Sequence, residues 1–150
     1  MTIRCEIVTP EKTVYSEDVD YVSLPGLEGQ MGIMPNHTPL LTVLRFGEVY
    51  IKKDGEESYF AVGGGFAEVQ PDAVIVLADS ADRADDIDLE RAQAARANAE
   101  KLMEEGVPED ADIYKQIETD LRVAQLQLDV ANKRGISNAR SRTAPPQFGE

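Results

Sequence analysis

The chain has 150 residues, 28 acidic and 15 basic side chains, a formal net charge of −13, one cysteine and one histidine. That length can bury one core and a small satellite rather than two full domains. The charge opposes nucleic acid and anionic lipid, whose interfaces need basic clusters, and a single histidine with a single cysteine leaves no set for a metal site.

Ile3 to Val8 is predicted as the first strand, with Cys5 inside the alternating run Ile3, Cys5, Ile7. Cys5 therefore reads as a small buried apolar residue without an intramolecular disulfide partner, which fits a reducing compartment. The chain starts directly on this strand pattern, without the basic start and apolar run of a signal peptide, and has no apolar stretch of about 18 residues. A soluble chain is expected, reaching a membrane only through a partner.

Thr9-Pro10-Glu11-Lys12 is a turn, followed by apolar segments at Val14-Tyr15 and at Val19 to Leu24. Pro25, Gly26, Gly29, Gly32 and Pro35 then predict a structured loop region with little continuous ladder. Leu40 to Leu44 and Val49 to Ile51 are strand candidates, and Asp54-Gly55 supplies the positive backbone angles of a tight hairpin. Tyr59 to Val62, Phe66 to Val69 and Val74 to Leu77 follow, separated by Gly63-Gly64-Gly65 and by Gln70-Pro71-Asp72. Eight or more strands fit before residue 80. Short connections without helices argue for antiparallel pairing in a sandwich or flattened barrel over residues 1–85.

After Asp79 the apolar period changes from two to between three and four. A helix is predicted from near Asp86, with Asp85, Asp86 and Asp88 favoured at its positive end and an inner stripe of Leu89, Ala92, Ala95, Ala99 and Leu102. Gly106-Val107-Pro108 ends it. A second helix runs from about Asp110 with Ile113, Ile117, Leu121, Ala124, Leu128 and Ala131 on one face, which makes an antiparallel hairpin over residues 86–134. Alanine gives strong helix propensity but little apolar area at roughly 25 cal/mol per Å², so the hairpin should dock weakly and detach without unfolding the strands. Residues 135–150 have the composition of an unpacked tail.

No catalytic set emerges from these residues. The triple glycine lacks the spacing and the following helix of a phosphate cradle, and a turn or bulge is its plain reading. Ser16, Ser23, Ser58 and Ser80 share a single histidine, and the Asp85-Asp86 pair reads as solvated helix-start charge. Asp88 and Arg91 fall on one helix face, where a plain surface pair explains them. Arg122, Lys133, Arg134, Arg140 and Arg142 make the C-terminal end locally basic, as solvated surface or as a complement to an acidic partner.

The run from Gly29-Gln30-Met31-Gly32-Ile33-Met34-Pro35-Asn36-His37 to Thr38-Pro39-Leu40-Leu41, with Leu44 and Gly47 beyond it, resembles the epsilon subunit of bacterial F-type ATP synthase. Gly64-Gly65-Phe66-Ala67-Glu68-Val69-Gln70 and Val74-Ile75-Val76-Leu77-Ala78-Asp79 resemble that family's last strands. The resemblance covers residues 1 to about 134. It implies an N-terminal antiparallel β-sandwich of about ten strands and a C-terminal antiparallel α-helical hairpin, in a noncatalytic subunit of the central rotor. The implied partners are the gamma subunit, the ring of c subunits, and the alpha and beta subunits, at the cytoplasmic face of the bacterial plasma membrane.

By the same resemblance, Gln30, Met31 and His37 would contact the c-ring and gamma. Arg122, Lys133 and Arg134 would meet acidic segments of alpha and beta when the hairpin extends, hindering ATP hydrolysis. Ile87-Asp88-Leu89-Glu90-Arg91-Ala92 resembles the family's ATP-sensing motif, with Ile87, Asp88, Arg91, Ala92 and Arg122 as its residues here. Asn98 stands where sensing members carry a further arginine, and Leu126 lies one turn beyond Arg122, so the implied regulatory ATP binding is weak. The rival reading is a free-standing β-sandwich that binds a small ligand and dimerises through its helices. A small hydrolase is opposed by the missing nucleophile and base.

Overall fold

A computed structural model describes residues 1–106 and 109–135. The Val107-Pro108 stop, the tail from 136 onward, and Arg140 and Arg142 lie outside the described residues.

Eight strands form one sheet: β1 (Ile3–Val8), β2 (Thr13–Val19), β3 (Tyr21–Gly26), β4 (Gly29–Ile33), β5 (Leu40–Lys53), β6 (Glu56–Val69), β7 (Ala73–Ala78) and β8 (Ala81–Arg83). Their order is β2-β1-β7-β6-β5-β3-β4, with β8 beside β6. The sheet folds over on itself, since Tyr15 on β2 meets Phe60 on β6 edge-on at 5.4 Å although two strands separate them in the ladder. Between its faces lies one core, including Ile3, Cys5, Ile7, Val22, Leu24, Ile33, Val49, Phe60, Val69 and Val76. Cys5 is fully enclosed and burial pushes its thiol up to about 12, which keeps it protonated and unreactive.

Three expectations are corrected. The glycine-dense stretch after Pro25 carries β4, which pairs antiparallel with β3 through Val22↔Ile33 and Leu24↔Met31. Glycine is tolerated in that ladder because side chains lie across it: a Cβ on Gly32 would sit 2.3 Å from the Tyr21 hydroxyl. The predicted pairs Leu40–Leu44 with Val49–Ile51, and Tyr59–Val62 with Phe66–Val69, merge into two 14-residue strands, β5 and β6. β6 changes its outer neighbour midway, pairing with β8 at Phe60–Val62 and with β7 at Gly65–Val69, so counting each long strand as two segments gives the expected ten. Finally, β1 and β7 pair in parallel, Arg4↔Ala73 to Val8↔Leu77. The crossover rule constrains strands joined directly, and these two are separated by five others in sequence.

The Asp54-Gly55 hairpin forms as predicted, with φ of 51° and 82°. After β8, a 3₁₀ turn at Ala84–Asp86 leads into α1 (Leu89–Glu104). The helix starts later than predicted because Asp88 is its N-cap, accepting a hydrogen bond from the Arg91 amide at 3.1 Å. Asp110 caps α2 (Ala111–Val130) in the same way through the amides of Asp112 and Ile113. A π-helical turn, Ala131–Gly135, ends the described chain.

Candidate functional site

The second helix lies on the outer face of β5 and β6 with α1 packed against it, and the sequence of these strands explains why it can. On β5 the residues Phe46, Glu48 and Tyr50 point to one face, opposite Gly63, Ala61 and Tyr59 of β6 in register. Two small residues therefore form a groove between aromatic neighbours. A Cβ on Gly63 would come within 2.3 Å of Ser80 Oγ and 3.5 Å of Val123 on α2, so the bare backbone lets the helix approach.

The apolar seat is small. Ala61, Ala84 and Val130 form its buried centre, with Tyr59, Ile87 and Leu126 packed around them, separate from the main core. Within the hairpin Ala92, Ala99, Ile117, Ala124 and Leu128 are buried, as the predicted stripe requires. Ala95, Leu102 and Ile113 of that stripe remain exposed, the last two at the end of the hairpin where the helices are joined. A cavity of about 630 Å³ separates hairpin and strands, lined by Phe46, Asp79, Ser80, Asn98, Asp120 and Gln127 among others. Its lining mixes apolar side chains such as Phe46, Ile117 and Val123 with carboxylates, and because they face open space there they add little to docking.

Polar contacts supply the rest. The Arg134 guanidinium donates to both carboxylate oxygens of Glu48 at 3.2 Å each and stacks 4.3 Å from the Tyr59 ring centre. Arg122 lies 4.0 Å over the Phe46 ring, and the Gln127 amide donates to Asp82 at 2.8 Å. Beneath Arg134, Tyr59 and Tyr50 sit 5.2 Å apart and both donate to Glu57. Burial and that carboxylate raise both phenols, Tyr50 to about 12, so the rings stay neutral and keep their electron-rich faces.

The residues predicted for ATP sensing do not line the cavity between hairpin and strands. Asp88 is engaged as a helix cap, Ile87 packs in the seat, Ala92 is buried, and Arg122 is committed to Phe46. Arg91 is exposed in the first turn of α1. Of the cations predicted to face an acidic partner, Lys133 is exposed, whereas Arg122 and Arg134 contact the sheet. Glu48 and Tyr59 were not singled out in the sequence; the alternation Phe46-Glu48-Tyr50 opposite Ala61 and Gly63 was the available signal.

At the other end of β5 lies an outward apolar surface. Leu41 is 70 % and Val43 56 % exposed, and the register places Val43, Phe66 and Leu77 side by side across β5, β6 and β7. A groove of about 520 Å³ beside Leu41 and Val43 is lined also by Leu27, Gln30 and Met31. The Gln30 amide donates to Ser23 Oγ at 2.8 Å and to the Glu48 carbonyl at 3.0 Å, so it braces β4 against its neighbours. Met31 packs on the core, and the half-buried His37 has its Nδ1 2.7 Å from the Thr38 carbonyl.

Among the described residues no helix is long and apolar enough to cross a membrane, and no group of three His, Cys, Asp or Glu is placed to hold a metal ion. Residues 2–84 match the family model described as ATP synthase, Delta/Epsilon chain, beta-sandwich domain, and residues 85–132 that of its long alpha-helix domain. The chain is 47% identical over 133 residues to the ATP synthase epsilon chain of Dehalococcoides mccartyi, covering 88% of this chain and 94% of that one. It is equally 47% identical over 134 residues to that of Herpetosiphon aurantiacus, covering 89% and 97%. A chain in the mitochondrial ATP synthase of Euglena gracilis shares the fold with a TM-score of 0.66 at 20% identity, covering 92% of this chain and 81% of that chain. One in the central stalk and c-ring of the Tetrahymena thermophila enzyme gives 0.58 at 13%, covering 87% and 97%. With both of its parts matched in order and full-length relatives at this identity, the chain belongs to the ATP synthase delta/epsilon family, as an epsilon chain: an accessory, non-catalytic subunit of the central stalk.

Proposed function

We propose that the strand domain couples the ring of c subunits to the gamma subunit while the hairpin, when it leaves its seat, hinders ATP hydrolysis by the alpha and beta subunits. What carries this reading is the thin seat: a long helical pair rests on a rigid body through Ala61, Ala84 and Val130 with a few polar contacts. Such an interface can open while the main core stays closed. The complex would lie at the cytoplasmic face of the bacterial plasma membrane.

Gamma is taken to dock on the exposed row Leu41, Val43, Phe66 and Leu77, because adjoining apolar side chains on an outward sheet face mark an interaction surface. The β3–β4 edge with Gln30 and Met31, and the loop with His37, would face the c-ring. Phe66→Asp tests the first assignment. The variant is expected to fold, since Phe66 is 46 % exposed, and to bind purified gamma at least about tenfold more weakly, as loss of a central aromatic anchor does. Undiminished binding would place gamma elsewhere.

ATP is assigned a weak regulatory site on the docked hairpin near Asp88 and Arg91. Weakness follows from the prior engagement of Asp88 as a helix cap and of Arg122 over the Phe46 ring. A ligand that prefers the docked form would shift the equilibrium by its difference in affinity for the two forms. Calorimetric titration of the full chain should give small, saturable heats, and a flat titration would remove ATP from the account.

A further inference from the structure

We propose that Arg134 and Arg122 form a clasp that holds the hairpin on the strand domain, Arg134 in a socket of Glu48 and Tyr59 and Arg122 on Phe46. The geometry is specific at the first point. Both donors on one side of the Arg134 guanidinium meet both oxygens of Glu48 at 3.2 Å, and the same planar group lies 4.3 Å from the Tyr59 ring centre. A two-pronged, stacked contact is open to arginine and closed to lysine, whose ammonium is a point charge without a flat face.

The socket is itself braced. Tyr59 is held by its hydroxyl on Glu57 and leans on Tyr50, which is held by the same carboxylate and leans on Tyr21 at 6.0 Å. Glu48 lies on the same strand face as Phe46, two residues away, so a single face of β5 receives both arginines. Arg122 is in α2 and Arg134 in the turn that follows it, so the clasp grips the second helix at two points flanking the small apolar seat. Because that seat buries mainly alanine and valine, the arginines decide how often the hairpin opens.

A consequence follows that rests on the proposed braking role. If Arg122 and Arg134 meet acidic segments of a partner in the extended form, they cannot also occupy Phe46 and Glu48. Docked and braking forms then compete for the same cations, and a weaker socket should deepen inhibition.

Amide exchange on the full chain tests the clasp without any partner. Glu48→Gln keeps the shape of the socket but removes its charge, and α2 amides should exchange about tenfold faster, the effect of losing a charge-assisted pair discounted for partial exposure. Arg134→Lys should behave similarly, and the double variant should add little to either single one, since both remove the same contact. Amides of β6 and β7 should not change. Unchanged exchange in α2 for Glu48→Gln, additive effects in the double variant, or equal acceleration in β6 and β7 would overturn the clasp. Hydrolysis by the assembled enzyme distinguishes the two readings: faster opening with deeper inhibition supports both, whereas faster opening with hydrolysis unaltered supports the clasp and overturns the brake.

Discussion

Gly65→Ala is expected to destabilise the strand domain by about 3–5 kcal/mol, a large part of the ~5–15 kcal/mol that typically separates folded from unfolded. Two independent causes combine. Gly65 has φ +120°, a region in which an L side chain costs of order 1–3 kcal/mol. Its Cβ would also stand 2.1 Å from the Leu77 carbonyl oxygen and 2.8 Å from the Ala78 Cα. Both obstacles are backbone atoms of β7, which cannot rotate away, and overpacking of this kind costs about 1–3 kcal/mol. Gly65 sits where β6 passes from its β8 neighbour to its β7 neighbour, so relief would have to come from opening the sheet. Gly55 is the control. It too has positive φ, +82°, but nothing lies within 4 Å of its Cβ, and Gly55→Ala should cost only the backbone term, about 1 kcal/mol. Urea unfolding monitored by circular dichroism separates the two; equal midpoints for both variants would show that the close approach to β7 is not rigid.

Those glycines illustrate what the sequence discloses and what it hides. Asp54-Gly55 was legible because a tight hairpin is a local event, its positive angles determined by two residues. The boundary between strands and helices was legible for a similar reason, since apolar period is read within a window of a few residues. Gly63-Gly64-Gly65 was recognised as an interruption but not as the middle of a continuous strand, because the need for it comes from Ser80, Leu77 and Val123, all distant in sequence or across the sheet. The β4 strand was hidden by its own glycines, of which Gly32 serves under Tyr21 rather than in a turn. Parallel pairing of β1 with β7 had no local signature at all, being a register between Arg4 and Ala73.

The site divides along the same line. Arg122 and Arg134 stood out as cations in an acidic chain, yet their sequence neighbours say nothing of Phe46, Glu48 or Tyr59. Asp88 was noticed for its place at a helix start, and capping is the role the backbone gives it. The outward row of Val43, Phe66 and Leu77 requires the register of three strands, which composition and period leave undetermined.

Removal of the hairpin is expected to have the largest functional effect. The strand domain keeps its own core from Ile3 to Ala78, which includes no residue of α1 or α2, so a chain ending at residue 85 should retain its fold and its attachment to gamma. What it loses is every cation assigned to the catalytic subunits, Arg122, Lys133 and Arg134. If the docked and extended forms differ by only a few kcal/mol, as the small seat implies, the extended form is populated in the assembly and its removal matters. Energy from the apolar seat alone would be too small to keep the hairpin down against an acidic partner offering the same arginines a second home.

The decisive measurement is ATP hydrolysis by reconstituted alpha, beta and gamma subunits with the full chain or with residues 1–85, gamma binding being matched in both. The account predicts hydrolysis several-fold faster with the shortened chain. Equal rates, with the shortened chain still bound to gamma, would contradict it.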